Sequence, residues 1–308
     1  MKVGIAIPTY NRKELLNGLL DSIPDGFHIY VSDNGNFVTD FLKNNHRVNN
    51  IVTHNVVIPM FSNWNASIEA AHGCDYIAIT SDDDTYEKNA YAVVSKYVSE
   101  YDADVFIFGH KYINGDSAVL GSYCPKRLEL HASPNGLAEH FLGVDARMPS
   151  IFLKKTFLDE IGYFDDQTFT ITAADSELIQ RALLLGKVLY VPEVIASYRV
   201  WEGSLTNSTQ ATTKWLTEVD LWTKKIASLA VSSFSESTKN IYDWRLYSDE
   251  IFARNLLAGL SILYKQKSYK EISIHLKNNR IPQYASIKTK IRISKYMILA
   301  CIKRLYGA

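Results

Sequence analysis

Short apolar segments alternate with helix-patterned segments through the first 200 residues, and this alternation constrains the fold more than any other feature of the sequence. Buried strands are indicated by KVGIAIP, FHIYVSDNG, CDYIAIT and DVFIFGHKYI, whereas RKELLNGLLDSI, SNWNASIEAAHG and NAYAVVSKYVSEY repeat apolar residues at helical spacing. Strands and helices that alternate at this spacing form a mostly parallel sheet covered by helices on both faces. The sequence therefore predicts an α/β fold.

The later segments extend this pattern and then change it. SIFLKKTFLDEIGYF predicts a strand followed by a helix that ends at Gly162, and ADSELIQRALLLG predicts a second helix. KVLYVPEVIASYRV predicts two short strands separated near Pro192. Beyond this point the pattern is helical, so we predict an α/β domain over residues 1–206 and a helical region over residues 207–308.

The charge of the chain is unevenly distributed. The formal net charge is zero, but residues 261–308 contain eleven Lys or Arg against the single acid Glu271, so this tail carries +10 and the first 260 residues carry −10. The division indicates an acidic body with a basic tail. Because the body is acidic and no RNA- or DNA-binding motif is present, the sequence argues against a nucleic-acid partner.

Cysteine usage and hydropathy indicate the compartment. Cys74, Cys124 and Cys301 are far apart and odd in number, which suits a reducing compartment and provides neither a disulfide framework nor a zinc site. The sequence begins without a signal-peptide pattern, and no run approaches the roughly 20 apolar residues of a membrane span. We therefore expect a cytoplasmic protein.

Three adjacent carboxylates, Asp82, Asp83 and Asp84, directly follow the strand CDYIAIT in the stretch ITSDDDTY. Like charges at this spacing repel each other, and no cation lies beside them in the sequence. Because Mg²⁺ takes one or two carboxylates together with substrate phosphates, the cluster is a candidate metal site, in which Asp82 and Asp84 could face one cation. The alternative is a solvated turn in which one aspartate caps the next helix.

Polar residues also follow the first two predicted strands. Pro8 ends the first strand and is followed by Thr9, Tyr10 and Arg12, and Asp33 follows the second strand. Because ligands bind beyond the carboxyl ends of the strands in such sheets, we expect these residues and the three aspartates to converge on one crevice. The alternatives are local, with Thr9 as a helix N-cap and Asp33 in an ordinary Asp-Asn-Gly turn.

These motifs, in this order, resemble the inverting family 2 glycosyltransferases of the GT-A fold. That family opens with a strand and P-T-Y/F-N-R, continues with V-D-N/D-G-S and reaches a strand that ends in an Asp-x-Asp set; the corresponding stretches here are PTYNR, VSDNG and SDDD. The run from IGYFDD to YRVWEGSLT is similar to the second half of the family domain. The resemblance covers roughly residues 1–206, and SDDD with NWN upstream is most similar to the branch that adds deoxysugars in O-antigen assembly, such as the abequosyltransferases.

The resemblance implies roles for the matching residues. Those expected to bind the nucleotide or its ribose are Pro8, Thr9, Tyr10, Arg12, Asp33, Asn65, Asp82 and Asp83. Asp82 and Asp84 are the expected ligands of Mn²⁺ or Mg²⁺, although two possible registers of the motif leave the choice among the aspartates open. Asp175 matches the general base, and the alternative for this residue is the N-cap of the helix over residues 176–185.

Two positions depart from the family pattern. The acid expected before the base is Ala174, and the closing histidine of the family is Trp201. Tryptophan has one N–H donor and no acceptor, so it cannot ligate a metal. Trp201 could stack on a sugar or base, or it could fill space in the core.

The resemblance implies transfer of a sugar from a nucleotide-diphosphate donor to a saccharide or lipid-linked acceptor in the synthesis of a cell-surface polysaccharide such as O-antigen or capsule. The implied reaction depends on a metal and inverts the anomeric centre in a single displacement. The general family resemblance implies a UDP-sugar as the donor, whereas the abequosyltransferase likeness implies a CDP-sugar. The two departures keep a catalytically weak, sugar-nucleotide-binding module as the alternative, while a nucleotidyltransferase is disfavoured because its glycine-rich loop is absent.

The basic tail predicts a membrane contact. Residues 287–308, IKTKIRISKYMILACIKRLYGA, place isoleucines among Lys and Arg, as in helices that lie on an anionic leaflet. We therefore expect a peripheral location on the inner face of the cytoplasmic membrane. The alternative is a helix that packs on the body and exposes a solvated basic face.

Overall fold

The computed structural model describes residues 1–200, 209–280 and 282–305, which form two compact units. Among the described residues, the first unit contains 1–140, 144–170 and 178–200. The second unit contains 141–143, 171–177, 209–280 and 282–305. The predicted boundary at residue 206 lies outside the described residues, and the division at that point stays a proposal.

A ten-stranded sheet forms the centre of the first unit as far as the structure describes it. Its strands are β1 (Val3–Thr9), β2 (His28–Asn34), β3 (Val48–His54), β4 (Tyr76–Ile79), β5 (Thr85–Tyr86), β6 (Val105–Ile113), β7 (Val119–Tyr123), β8 (Glu129–His131), β9 (Ile151–Lys154) and β10 (Val188–Arg199). The order is β3-β2-β1-β4-β9-β6-β10-β5, with β7 paired to β6 and β8 to β10. Because β9 is antiparallel to both β4 and β6, the strands β1–β4, β6 and β10 share one direction.

Helices cover both faces of this sheet. The helices that follow its strands are α1 (Lys13–Ser22), α2 (Thr39–Lys43), α3 (Met60–Ala70), α4 (Ala90–Glu100), α5 (Lys155–Ile161) and α6 (Ala173–Leu185). Val31 of β2 shares a core cluster with Leu16 and Leu20 of α1. The next residue, Ser32, donates its hydroxyl to Oδ1 of Asn63 on α3 at 2.7 Å. Since successive side chains of a strand point to opposite faces, α1 and α3 lie on opposite faces, and the predicted α/β architecture is confirmed.

One prediction about the strands is wrong. KVLYVPEVIASYRV forms the single strand β10 and not two short strands. The register between β10 and β6 shifts between Tyr190 and Val194, so the missing N–H of Pro192 falls in an irregular stretch of the ladder. Proline therefore interrupts the pairing here while the backbone stays extended.

The second unit is helical, as the sequence predicts. Its further helices are α7 (Thr213–Ser233), α8 (Glu236–Lys239), α9 (Trp244–Lys265), α10 (Tyr269–Asn278) and α11 (Ile287–Leu305). Asp243 caps α9 by accepting the backbone N–H groups of Arg245 and Leu246, each at 3.0 Å. In residues 1–200, 209–280 and 282–305, no helix combines the length and hydropathy that crossing a bilayer requires.

Removal of a core side chain tests the packing of α1 on the sheet. Leu16 is fully buried in the core cluster, so Leu16→Ala should lower the free energy of unfolding by about 2–5 kcal/mol through lost burial and a residual cavity. Leu120→Ala removes the same atoms from a residue of β7 that is 62% exposed, and we expect a change within about 0.5 kcal/mol. Urea unfolding followed by circular dichroism measures both changes, and equal losses would contradict the assigned core.

Candidate active site

The carboxyl ends of β1, β2 and β4 meet at one edge of the sheet. β1 continues through Pro8 to Thr9, which is the register partner of Asp33 on β2. On the other side of β1, Ala6 pairs with Ile79 at the end of β4. The polar residues at the ends of these three strands and directly after them therefore lie along one edge, as expected from the parallel strand order.

Thr9 and Arg12 contact the turn formed by residues 82–84, which we call the aspartate turn. Thr9 donates from Oγ1 to Oδ2 of Asp82 at 2.7 Å. The guanidinium of Arg12 lies 2.7 Å from Oδ1 of Asp82 and 3.1 Å from Oδ2 of Asp83. The chain thus supplies a counter-charge that sequence proximity did not reveal. The predicted contacts of Thr9 and Arg12 with a nucleotide stay predictions.

Strand β10 holds the aspartate turn from another side. The backbone N–H of Arg199 donates to Oδ1 of Asp84 at 2.9 Å, and its Nε donates to the carbonyl oxygen of Asp83 at 2.7 Å. Its Nη1 donates to the carbonyl oxygens of Asn114 and Gly115, between β6 and β7, at 2.7 and 2.9 Å. Arg199 therefore fixes the backbone around the turn, a role that the sequence analysis missed because it depends on tertiary pairing.

Burial raises the pKa of two carboxyl groups in the turn. Loss of solvation raises the pKa of Asp82 from 3.8 to about 6, although the charge of Arg12 and the hydroxyl of Thr9 favour the ionised form. Burial likewise raises the pKa of Asp84 well above 3.8, and the neighbouring carboxylate of Asp83 raises it further. The ionised form of both groups would be stabilised by an additional cation.

One oxygen of the turn is suited to such a cation. Oδ2 of Asp84 is buried and accepts no hydrogen bond, which is costly for an ionised carboxylate. Among the described residues, no group of three or more His, Cys, Asp or Glu side chains could hold a metal ion. A metal ion here would need further ligands from outside the protein, and Mg²⁺ commonly takes one or two carboxylates together with substrate phosphates.

Asp33 lies buried beneath the turn after β2. Its Oδ1 accepts the backbone N–H of Phe37 at 3.1 Å, and its Oδ2 accepts the N–H of Val38 at 2.8 Å and the hydroxyl of Thr39 at 2.7 Å. These bonds agree with the turn alternative that the sequence left open. Contact between Asp33 and a base stays a prediction.

An exposed aromatic pair lies at the same edge of the sheet. The side chain of Tyr10 is 50% exposed, that of Phe37 is 48% exposed, and their rings meet edge to face with centroids 5.4 Å apart. Gly35, at φ +95°, makes room for this pair, because a Cβ there would lie 2.5 Å from the ring of Phe37. Aromatic faces at a polar edge can stack on a base. Phe37 carried no motif and could not be selected from the sequence.

The NWN segment on α3 contributes two asparagines with different partners. Asn65 donates from Nδ2 to the carbonyl of Phe164 at 2.9 Å and accepts its N–H through Oδ1 at 3.1 Å. Its amide therefore fixes the backbone of Phe164, and nucleotide contact stays a prediction. Asn63, which the sequence analysis did not select, accepts the hydroxyl of Ser32 at 2.7 Å and donates to the carbonyl of Thr9 at 3.3 Å.

Asp175 belongs to the second unit. It lies in the first turn of α6, whose first residue is Ala173, so Asp175 is the third helical residue and not the N-cap. A carboxylate in this turn interacts favourably with the positive end of the helix dipole. Ala174 is fully buried, and Trp201 lies outside the described residues.

Comparison with known proteins connects this geometry to a family. The family model described as "Glycosyl transferase family 2" matches residues 4–135. The chain is 29% identical over 187 residues to the abequosyltransferase RfbV of Salmonella typhimurium, and this alignment covers 53% of this chain and 56% of RfbV. It is 25% identical over 312 residues to the glycosyltransferase GlyA of Streptococcus pneumoniae, and this alignment covers 94% of this chain and 43% of GlyA. The chain thus spans about half the length of these two curated relatives.

A solved structure shares the fold. The crystal structure of S. aureus TarS 1-349 in complex with UDP-GlcNAc matches with a TM-score of 0.62 and 14% identity, and the match covers 100% of this chain and 92% of that one. At this identity the likeness shows the fold alone. Together with the matched sequence profile and the two curated relatives, it confirms the resemblance stated from the motifs. The family 2 glycosyltransferase model thus matches residues 4–135, the part of the chain that includes the aspartate turn.

Proposed function

We propose that this chain transfers a sugar from a nucleotide-diphosphate donor to a saccharide or lipid-linked acceptor in the synthesis of a cell-surface polysaccharide. The observation that carries the proposal is the buried aspartate turn, which lies at the carboxyl edge of β1 and β4 within the matched family domain. RfbV is named an abequosyltransferase, which supports sugar transfer, and the TarS structure holds UDP-GlcNAc, which supports a nucleotide-sugar donor.

A divalent cation, Mn²⁺ or Mg²⁺, is part of the proposal. The buried Oδ2 of Asp84 accepts no hydrogen bond, and the neighbouring carboxylate of Asp82 also has a raised pKa, so the donor set suits a hard cation. Asp84 and Asp82 would hold the ion. When bound, it would neutralise negative charge that develops on the diphosphate leaving group.

The remaining chemistry is assigned to side chains of this chain. Thr9 and Arg12 would orient the aspartate turn through their contacts with Asp82, while the rings of Tyr10 and Phe37 would offer a stacking surface for the base. The nucleotide would be uridine, as in the UDP-GlcNAc of the TarS structure, or cytidine, as the abequosyltransferase likeness of the motifs implies.

Inversion of the anomeric centre follows from a single displacement. Asp175 would remove the proton of the acceptor hydroxyl while that oxygen attacks the anomeric carbon from the face opposite the diphosphate. The proton passes to the Asp175 carboxylate, and the bond to the leaving diphosphate breaks.

A second candidate is a sugar-nucleotide-binding module with weak catalysis. It is favoured by Ala174, a fully buried apolar side chain at the position where the family carries an acid beside the base. The two candidates share the nucleotide site and differ in the rate of sugar transfer.

The proposed location is the inner face of the cytoplasmic membrane. A lipid-linked acceptor would be met there, and residues 287–308 contain six Lys or Arg and no acid to favour an anionic leaflet.

Asp84→Asn should separate metal binding from stability. The neutral amide avoids the cost of a buried charge and retains an oxygen for the Arg199 N–H, so the ligand-free melting temperature should be unchanged or higher. The stabilisation by Mn²⁺ with UDP, about 2.7 kcal/mol at a hundredfold excess over Kd, should be lost. Thermal shift measures both, with Asp116→Asn in the exposed turn after β6 as the control. An undiminished Mn²⁺-dependent shift would refute the assignment of Asp84.

Binding of Mn²⁺ with UDP should weaken as the pH falls through about 6. The folded-state pKa of Asp82 is raised to about 6 and that of Asp84 is also raised, so protons compete with the cation below this pH. We expect Kd to rise about tenfold per pH unit below 6 for each proton displaced. Titration calorimetry from pH 7 to pH 5 measures this slope, and UDP without metal is the control. A constant Kd would count against metal binding by these carboxylates.

Asp175→Asn should reduce catalysis and leave donor binding intact. Loss of the general base should lower the rate of UDP-GlcNAc hydrolysis or transfer with Mn²⁺ by about 10²–10⁴-fold, while Kd for UDP changes less than about threefold. Asp102→Asn is the control, because its side chain is 79% exposed and pairs with Lys154 at the surface. Equal rates for the native chain and Asp175→Asn would favour the binding module.

A further inference from the structure

The carboxyl-terminal helix α11 packs within the second unit through one side only. Thr289 and Ala300 are buried on that side, and the ring of Tyr296 contacts the ring of Tyr264 on α9 with centroids 5.7 Å apart. This packing determines which side of α11 is left uncovered by the described residues of its own unit.

A buried carboxylate fixes the start of the helix. Glu250 on α9 accepts the backbone N–H of Ser286 at 2.7 Å and the hydroxyl of Thr289 at 2.8 Å. Ser286 in turn accepts the N–H of Thr289 through Oγ at 3.2 Å, and Arg254 donates to Glu250 at 3.0 Å. These bonds set the rotation of α11 about its axis, so its outward side is defined by the fold.

The outward side carries four isoleucines, which we call the isoleucine stripe: Ile287, Ile291, Ile298 and Ile302. Their exposed fractions are 74, 64, 55 and 43%. Steps of four, seven and four residues keep them on one side of a helix with about 3.6 residues per turn. Ile287 lies two residues, or about 200° around the helix, from the buried Thr289. A row of exposed isoleucines of this length indicates an interaction surface.

Cations flank the isoleucine stripe. Lys288, Arg292 and Lys295 are exposed along one border, and residues 287–305 contain six Lys or Arg and no Asp or Glu. Ile291, Lys295 and Ile298 line one open stretch of this helix face. The surface therefore combines apolar insertion with positive charge.

We infer that the isoleucine stripe is a membrane-contact surface and that its ligand is an anionic lipid leaflet. α11 would lie in the plane of the interface, with the isoleucines at the boundary of the acyl chains and the flanking cations near lipid phosphates. The positive charge of α11 favours an anionic leaflet over a second copy of the chain as its partner, because two copies of α11 would bring their Lys and Arg side chains together. Membrane contact through α11 does not require sugar transfer, so it can be tested independently of the proposed function.

Vesicle co-sedimentation of the full chain tests the inference. The native chain should bind vesicles of phosphatidylcholine with phosphatidylglycerol much more tightly than vesicles of phosphatidylcholine alone. Ile291→Ser with Ile298→Ser should weaken binding to the anionic vesicles by at least about tenfold at both low and high salt. Lys288→Gln, Arg292→Gln and Lys295→Gln together should weaken it by about a hundredfold at low salt and much less at high salt.

The control is Val119→Ser with Leu120→Ser, which replaces two residues of β7 that are each 62% exposed. This variant should bind anionic vesicles as the native chain does. Circular dichroism and the ligand-free melting temperature verify that all variants fold. Unchanged vesicle binding by the isoleucine variant would overturn the inference. It would also be overturned if sedimentation velocity showed a native dimer that the isoleucine variant dissociates while vesicle binding is unaffected.

Discussion

The first unit depends on the neutralisation of a buried acidic turn by groups that are distant in the sequence. Asp82 loses its solvation, and the hydroxyl of Thr9 and the guanidinium of Arg12 partly replace it from the end of β1. Arg199 reaches the same turn from β10. The strand order brings these donors together, because β1 lies beside β4 and because β9 lets β6 and β10 run in the same direction as β4.

These contacts do not neutralise all of the negative charge of the aspartate turn. Oδ2 of Asp84 accepts no hydrogen bond although it is buried, and a core selected only for stability would place a neutral or apolar group there. Asp33 shows the contrast, because each of its oxygens accepts a hydrogen bond from the turn that follows β2. The two buried aspartates at this sheet edge therefore differ. Both oxygens of Asp33 accept hydrogen bonds from the protein, whereas one oxygen of Asp84 accepts none and is available to a cation.

Strand composition and helical periodicity were sufficient to predict the α/β fold and the convergence of the polar segments, since both follow from local pattern and from parallel pairing. The partners of individual side chains could not be predicted in this way. The ion pair of Arg12 with Asp82 joins residues about 70 positions apart in the sequence, and the hydrogen bond of Asn65 to the backbone of Phe164 joins residues 99 positions apart. The amphipathic pattern of α11 likewise contains two apolar sides, and only packing around Glu250 distinguishes the inward side from the outward one.

The bonds of Arg199 have a consequence for folding and for truncation. This residue lies 115 positions from Asp84, and its guanidinium also holds the loop between β6 and β7. Contacts with such a large sequence separation form only after the intervening strands have paired, so the aspartate turn should be among the last parts of the sheet to reach its final shape. A fragment that ends at residue 135, where the family match ends, would lack both β9 and β10. Its acidic turn would be present in the sequence but would lack the strand that fixes its backbone.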